Sequence, residues 1–139
     1  MNTSKFAIAT LTGGMAFFFL GFLAYAVVFE SFFVDHAGTA TGVMNTEMVW
    51  WPLILGNLAH AALLTYIFMK WANITTFGSG INAGATIGFL ISLGFDMITY
   101  DTTNIMDLTG ATVDVFIYTV MCGIVGGIIG WILGRGIKD

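Results

Sequence analysis

The stretch TVDVFIYTVMCGIVGGIIGWIL, residues 112–133, contains a single charged side chain, Asp114, in 22 residues. A helix crosses a bilayer hydrocarbon core of about 30 Å with about 20 mostly apolar residues. Three further stretches have this length and character, at about residues 6–29, 49–71 and 81–100. None of them alternates polar and apolar residues, as a membrane barrel strand does over about ten positions. The sequence therefore predicts an all-α integral membrane protein, a four-helix bundle that forms one transmembrane domain over residues 1–139.

The overall composition excludes several other classes of protein. Hydrophobic residues make up 58% of the chain and charged residues only 9%, and the mean hydropathy is +0.91. A soluble domain carries about 25% charged residues, and a disordered chain is poor in apolar ones, so neither class fits. Four basic residues and a net charge of −4 leave no surface for nucleic acid. The lone Cys122 allows no intrachain disulfide, no Cys/His spacing suits zinc, and no cofactor is expected.

The basic residues predict the orientation of the chain. Lys5, Lys70, Arg135 and Lys138 all fall at positions that share one side of the membrane in a four-span protein. The positive-inside rule places such residues in the cytoplasm. Both termini and the loop at 70–80 are therefore predicted to be cytoplasmic, in a multi-pass protein of the cell inner membrane.

The acidic residues have the opposite bias, and most lie in or near the two outer connections. They are Glu30, Asp35, Glu47, Asp101, Asp107 and Asp114. One interpretation is a solvated acidic rim, and the other is a surface whose field gathers cations or a cationic partner. Asp114 and Thr112 stand in the first turn of the predicted last helix, where capping of the helix is the expected role.

Glycines at a spacing of four residues predict close contacts between helices. Small residues let helices in a bilayer approach each other, and packing drives their association. The third helix carries Gly80, Gly84 and Gly88, and the fourth carries Gly123, Gly126, Gly127, Gly130 and Gly134. The pattern leaves open whether these contacts form within one chain or between copies.

Four polar side chains of the second and third predicted spans are candidates for a polar cluster inside the bundle. Asn57 and His60 share a face of the second helix, and Asp96 precedes Tyr100 by one turn of the third. Ionisable groups at membrane depth are costly and are candidates for function. If the second and third helices are neighbours, the four residues form one polar cluster in the outer half of the bundle. By depth, Asn57 is then expected closer to Asp96 than His60 is. The simpler alternative is that Asn57 and His60 only bond to neighbouring helices or carbonyls.

Several short motifs resemble those of small bacterial inner-membrane proteins. The motifs are LGFLAY at 20–25, VVF at 27–29, NTEMVWW at 45–51, GNL at 56–58 and YDTTN at 100–104. The families concerned are described as domains of unknown function. The resemblance implies a four-helix inner-membrane protein and brings no catalytic residue with it.

Three functions are compatible with the sequence. The first is a non-enzymatic protein that acts by helix association, either as a homo-oligomer or as an accessory subunit of a larger membrane complex, with lipids and membrane proteins as its partners. The alternative is a small transporter or channel for a proton, a metal cation or a cationic solute. The acidic outer rim would gather the cation, and Asp96, Asn57 and His60 would offer a route inward if they converge on one cavity. The third is a lipid or quinone enzyme using these two residues in acid–base chemistry. No phosphate loop or nucleophile motif supports an enzyme.

Overall fold

A computed structural model describes residues 2–135. Four helices are long and apolar enough to span a membrane, and one short helix lies between the first two. They are α1 (Thr3–Leu23, continued by a π-helical turn at Ala24–Val28), α2 (Glu30–Asp35), α3 (Trp50–Ile67, continued by a π-helical turn at Phe68–Ala72), α4 (Phe77–Thr102) and α5 (Leu108–Gly134). Within the described residues, extended pairing is limited to one isolated bridge. The prediction of an all-helical chain with four membrane-length helices is confirmed.

The start of α5 differs from the predicted one. The helix begins at Leu108, because the side chain of Asp107 accepts a 2.7 Å hydrogen bond from the backbone N–H of Gly110 and caps it. Thr112 and Asp114 consequently lie inside the helix, and the Thr112 hydroxyl donates to the Leu108 carbonyl at 2.7 Å. The expectation that Thr112 and Asp114 cap the helix is therefore wrong.

The helix α5 is the centre of the bundle. In its most apolar stretch 61% of the residues are buried, against 17–22% in the other three long helices. One side of α5 packs against α4, and another packs against the hairpin of α1 and α3. Among the described residues α3 and α4 barely touch. They are therefore not neighbours, and the assumption used to predict the polar cluster does not hold.

Glycine residues bring the backbones of α4 and α5 into contact. A Cβ atom on Gly84 would collide with the Cys122 carbonyl and lie 3.0 Å from Gly126 Cα, and one on Gly126 would lie 2.9 Å from Gly84 Cα. Other glycines that face the opposite helix or the segment before it are Gly80, Gly88, Gly123, Gly127, Gly130 and Gly134. The close approach fixes the register of α4 on α5, which decides which polar side chains meet.

The connection between α1 and α3 pairs with the connection between α4 and α5. The Gly38 N–H donates to the Ile105 carbonyl at 2.8 Å, and the Asp107 N–H donates to the His36 carbonyl at 3.0 Å. A Cβ at Gly38 would overlap the backbone of Asn104, so this crossing depends on glycine. The pairing ties the segment after α2 to the start of α5.

The opposite end of the bundle carries basic residues. Lys5 Nζ lies 3.5 Å from the Leu133 carbonyl oxygen, and the Arg135 guanidinium lies 3.4 Å from the centre of the Trp131 ring. Lys138, which also entered the prediction of orientation, lies outside the described residues.

Candidate functional site

Two carboxyl groups meet where α4 crosses α5. Those of Asp96 and Asp114 line the same cavity and are close enough to interact electrostatically. Asp96 is buried, with 4% of its surface exposed, and its Oδ2 atom has no hydrogen-bond partner within the described part of the chain. Two acidic side chains in contact at membrane depth are costly unless a proton or another cation accompanies them.

The glycine register of α4 explains why Asp96 points inward. The buried residues of this helix are Gly80, Gly84, Gly88, Ser92 and Asp96, one every four residues. The glycine face of α4 packs on α5 near the N-terminal end of α4. The same face continues toward the C-terminal end of α4, where it carries Asp96. Ser92 satisfies its hydroxyl locally by donating to the Gly88 carbonyl at 2.9 Å.

A third element orients Asp114. The hydroxyl of Tyr25, in the π-helical turn that ends α1, donates a 2.7 Å hydrogen bond to Asp114 Oδ1. Asp114 thus stands between Tyr25 and Asp96, and it is half-buried. The sequence placed Asp114 in the outer acidic rim, but the structure places it inside the bundle because α5 begins four residues earlier than predicted.

The carboxyl pair lines a cavity of about 290 Å³ in the gap that separates α3 from α4. We call it the acidic cavity, and its walls are His60, Ile91, Ser92, Phe95, Asp96, Asp114 and Tyr118. His60 lies ten residues along α3 from Trp50, or about 15 Å, so the cavity lies at membrane depth. Asp96 and His60 therefore converge on one cavity.

A second cavity, of about 470 Å³, lies on the other side of His60 and Tyr118, which line both cavities. We call it the aromatic cavity, and it lies between the C-terminal half of α1 and the N-terminal half of α3. The His60 and Tyr118 rings meet edge to face, with their centroids 5.6 Å apart. The Phe17 ring also meets the His60 ring edge to face, with a centroid distance of 6.0 Å. These rings form the wall between the two cavities.

The four residues predicted to form one polar cluster are divided in the structure. His60 and Asp96 line the acidic cavity, whereas Asn57 lines the aromatic cavity and donates to the Leu53 carbonyl at 2.7 Å. Tyr100 is 42% exposed and lines neither cavity. The expectation that Asn57 lies closer to Asp96 than His60 does depended on adjacent α3 and α4, which the structure separates.

The remaining acidic residues are exposed in the outer connections or at the adjoining helix ends. They are Glu30, Asp35, Glu47, Asp101 and Asp107. Their side chains lie outside the acidic cavity.

Sequence reasoning missed Tyr25 and Tyr118. Tyr118 follows Asp114 by four residues, so the helical period places the two on one face and offered a usable signal. Tyr25 is separated from Asp114 by 89 residues, and nothing in its local pattern distinguishes it from an interfacial tyrosine. Only the packing of α1 against α5 reveals its role.

Among the described residues, no group of three or more His, Cys, Asp or Glu side chains could hold a metal ion. No protein-family model, curated protein or solved structure matches this chain.

Proposed function

We propose that this protein is a small membrane transporter or channel that moves a cation across the bilayer through the acidic cavity. The observation that carries this proposal is that Asp96, Asp114 and His60 line one cavity at membrane depth. A cation here means a proton or a small positively charged solute.

The electrostatics of the carboxyl pair support binding followed by release. Two carboxylates in contact repel each other strongly, and a proton or cation between them removes the repulsion. The unpartnered Oδ2 atom of Asp96 adds a buried acceptor that gains a hydrogen bond when a donor arrives. A bound cation is therefore stabilised, and a second cation or proton can replace it.

The two cavities suggest a route to this pair. The aromatic cavity reaches Met48 and Trp50 near the start of α3, and His60 and Tyr118 separate it from the acidic cavity. The exposed acidic residues of the outer connections surround the same end of the bundle. Clustered negative charge raises the local concentration of cations. The acidic rim therefore concentrates cations at the entrance of this route.

We place both termini and the basic end of the bundle in the cytoplasm of a cell inner membrane. This orientation follows from the positive-inside rule and from the common location of Lys5 and Arg135 at the end of α5. It directs the acidic rim to the outer side, where cations enter.

Proton movement in proteoliposomes tests the proposal. Vesicles containing a pH-sensitive dye and purified protein receive a potassium diffusion potential, and the dye reports the proton flux. Asp96→Asn and Asp114→Asn should each lower the protein-dependent flux at least about tenfold, as expected for loss of an essential proton-transfer group. Asp101→Asn, which removes an exposed carboxylate of the rim, is the matched control and should retain most of the flux. Wild-type rates in both pair variants would overturn the proposal.

A second candidate function, assembly with another copy or with a larger membrane complex, has its own observation. Asn82 is exposed on the face of α4 that points away from α5. Gly78 and Thr86, four residues before and after it, are exposed on the same face. Nothing within 4 Å would meet a Cβ on Gly78. An amide that faces lipid gains an interhelical hydrogen bond when a partner helix covers this face.

The mass of the protein in lipid nanodiscs tests assembly. The wild type should form a dimer or higher oligomer, Asn82→Leu should shift it toward the monomer, and Thr112→Val should leave it unchanged. Thr112 is a fair control because its exposed hydroxyl already bonds within its own helix. A monomeric wild type over a range of lipid compositions would contradict assembly with itself.

A further inference from the structure

We infer that the aromatic cavity binds a small organic cation, of the quaternary ammonium class. The inference rests on the proposed function and names the substrate class for it. The cavity has a volume of about 470 Å³, which lies in the range of about 300–1,000 Å³ found for small-molecule sites.

The walls of this cavity are unusually rich in aromatic rings. Six aromatic side chains line it, namely Phe17, Phe18, Phe22, Tyr25, Trp50 and Tyr118. At one end of the cavity, the centroids of the Phe18 and Trp50 rings lie 6.4 Å apart. At the other end, the Phe17 ring stacks on the Tyr118 ring with a centroid distance of 6.4 Å. Aromatic faces attract cations that lack hydrogen-bond donors, and such cages are the usual recognition mode for quaternary ammonium groups.

The charge around the cavity also favours a cation. Among its lining residues there is no Lys or Arg, and the described basic side chains near α5 lie at the opposite end of the bundle. The ring of Tyr25 lines the cavity while its hydroxyl bonds to Asp114. A ligand in the cavity is therefore separated by a single phenol from the carboxyl pair.

Another cavity in the same protein has a different lining. It has a volume of about 400 Å³, lies between α1 and α5, and is lined mainly by aliphatic residues such as Leu20, Leu23 and Val120. Such a pocket suits an acyl chain. The aromatic cavity instead combines six rings with the polar groups of Asn57 and His60, so a neutral lipid chain is not its best occupant.

Calorimetric titration in lipid nanodiscs tests the inference, with empty nanodiscs as the blank. The probe is benzyltrimethylammonium, and its neutral counterpart is neopentylbenzene, which has the same shape without the charge. The cation should bind the wild type saturably, and neopentylbenzene should compete at least tenfold less well. Equal competition by the neutral compound, or no saturable binding of the cation, would overturn the inference.

Substitutions on neighbouring positions of α1 provide the matched pair. Phe18→Leu and Phe22→Leu each remove one ring of the cavity and should weaken cation binding about three- to tenfold. Phe19→Leu makes the same change on a side chain that is 64% exposed and lines none of the cavities described above. It should change the affinity less than twofold. Circular dichroism verifies that each variant is folded, and equal affinity in all three variants would overturn the inference.

The two proposals fail separately. Loss of benzyltrimethylammonium binding with an intact, Asp96-dependent proton flux would overturn the substrate class alone. Binding of the cation with proton flux that is unaffected by Asp96→Asn and Asp114→Asn would overturn the proposed function and leave the binding site.

Discussion

The phenol of Tyr25 donates a 2.7 Å hydrogen bond to Asp114 Oδ1 and thereby joins the C-terminal end of α1 to α5. Asp114 in turn lies within reach of Asp96 on α4. Among the described residues, α1 and α4 have few direct contacts. The hydrogen bond therefore links two elements through a carboxylate, and it fixes the orientation of the carboxyl pair.

Replacing Tyr25 by Phe should weaken both stability and flux. The change leaves a half-buried carboxylate without its donor, and loss of a hydrogen bond to such a group costs about 1–3 kcal/mol. Unfolding titrations with sodium dodecyl sulfate should show this decrease in the free energy of unfolding. Tyr66→Phe, on a tyrosine that is 37% exposed, should have little effect. Equal stability of the two variants would show that the Tyr25 bond contributes nothing.

Replacing Gly84 by Ala should separate α4 from α5. The new methyl group would collide with the Cys122 carbonyl, and overpacking of this kind costs about 1–3 kcal/mol. Gly94→Ala, in the same helix, meets nothing within 4 Å and should be neutral or slightly stabilising, because Ala favours helices over Gly. The same unfolding titration compares the two, and a Gly84→Ala variant as stable as Gly94→Ala would contradict the helix contact.

Replacing Asp107 by Ala should remove the cap of α5. Loss of an N-cap side chain costs about 0.5–2 kcal/mol, and the first turn of the helix should exchange its amide hydrogens faster. Asp101→Ala removes an exposed acid of the rim and provides the control. Hydrogen exchange followed by mass spectrometry distinguishes the two, and unchanged protection of residues 108–111 in Asp107→Ala would place the cap elsewhere.

Thiol labelling of whole cells should show the orientation. A membrane-impermeant maleimide should label Thr41→Cys, in the outer connection, and should label Thr75→Cys only after the cells are lysed. Both positions are exposed, and the native Cys122 is buried, so the wild type is a suitable background. Labelling of Thr75→Cys in intact cells would reverse the proposed topology.

The helices were predictable because each has a predominantly apolar stretch of membrane length. The residues at which the helices begin were less predictable. The expected start of the last helix at Thr112 followed the hydropathy, whereas the structure starts it at Leu108, where the Asp107 side chain caps the helix. A cap depends on a single side chain outside the apolar stretch, which hydropathy does not weigh.

The candidate site was only partly predictable, because it depends on which helices are neighbours. His60 and Asp96 were expected from their cost at membrane depth, and they line one cavity. Asp114 was not expected to lie beside Asp96. The order of the helices along the chain does not reveal that α5 separates α3 from α4 in space. Tyr25 could be found only from that arrangement.

The most direct test of the central claim is infrared spectroscopy of the carboxyl carbonyl band during a pH titration in lipid nanodiscs. The proposed function requires Asp96 and Asp114 to take part together in binding and releasing a proton. A carbonyl band that titrates in the wild type should persist in Asp101→Asn and should shift or vanish in both Asp96→Asn and Asp114→Asn, because the titration of two interacting carboxyl groups belongs to the pair. A titrating band that is altered by only one of these two substitutions, or by neither, would contradict the account.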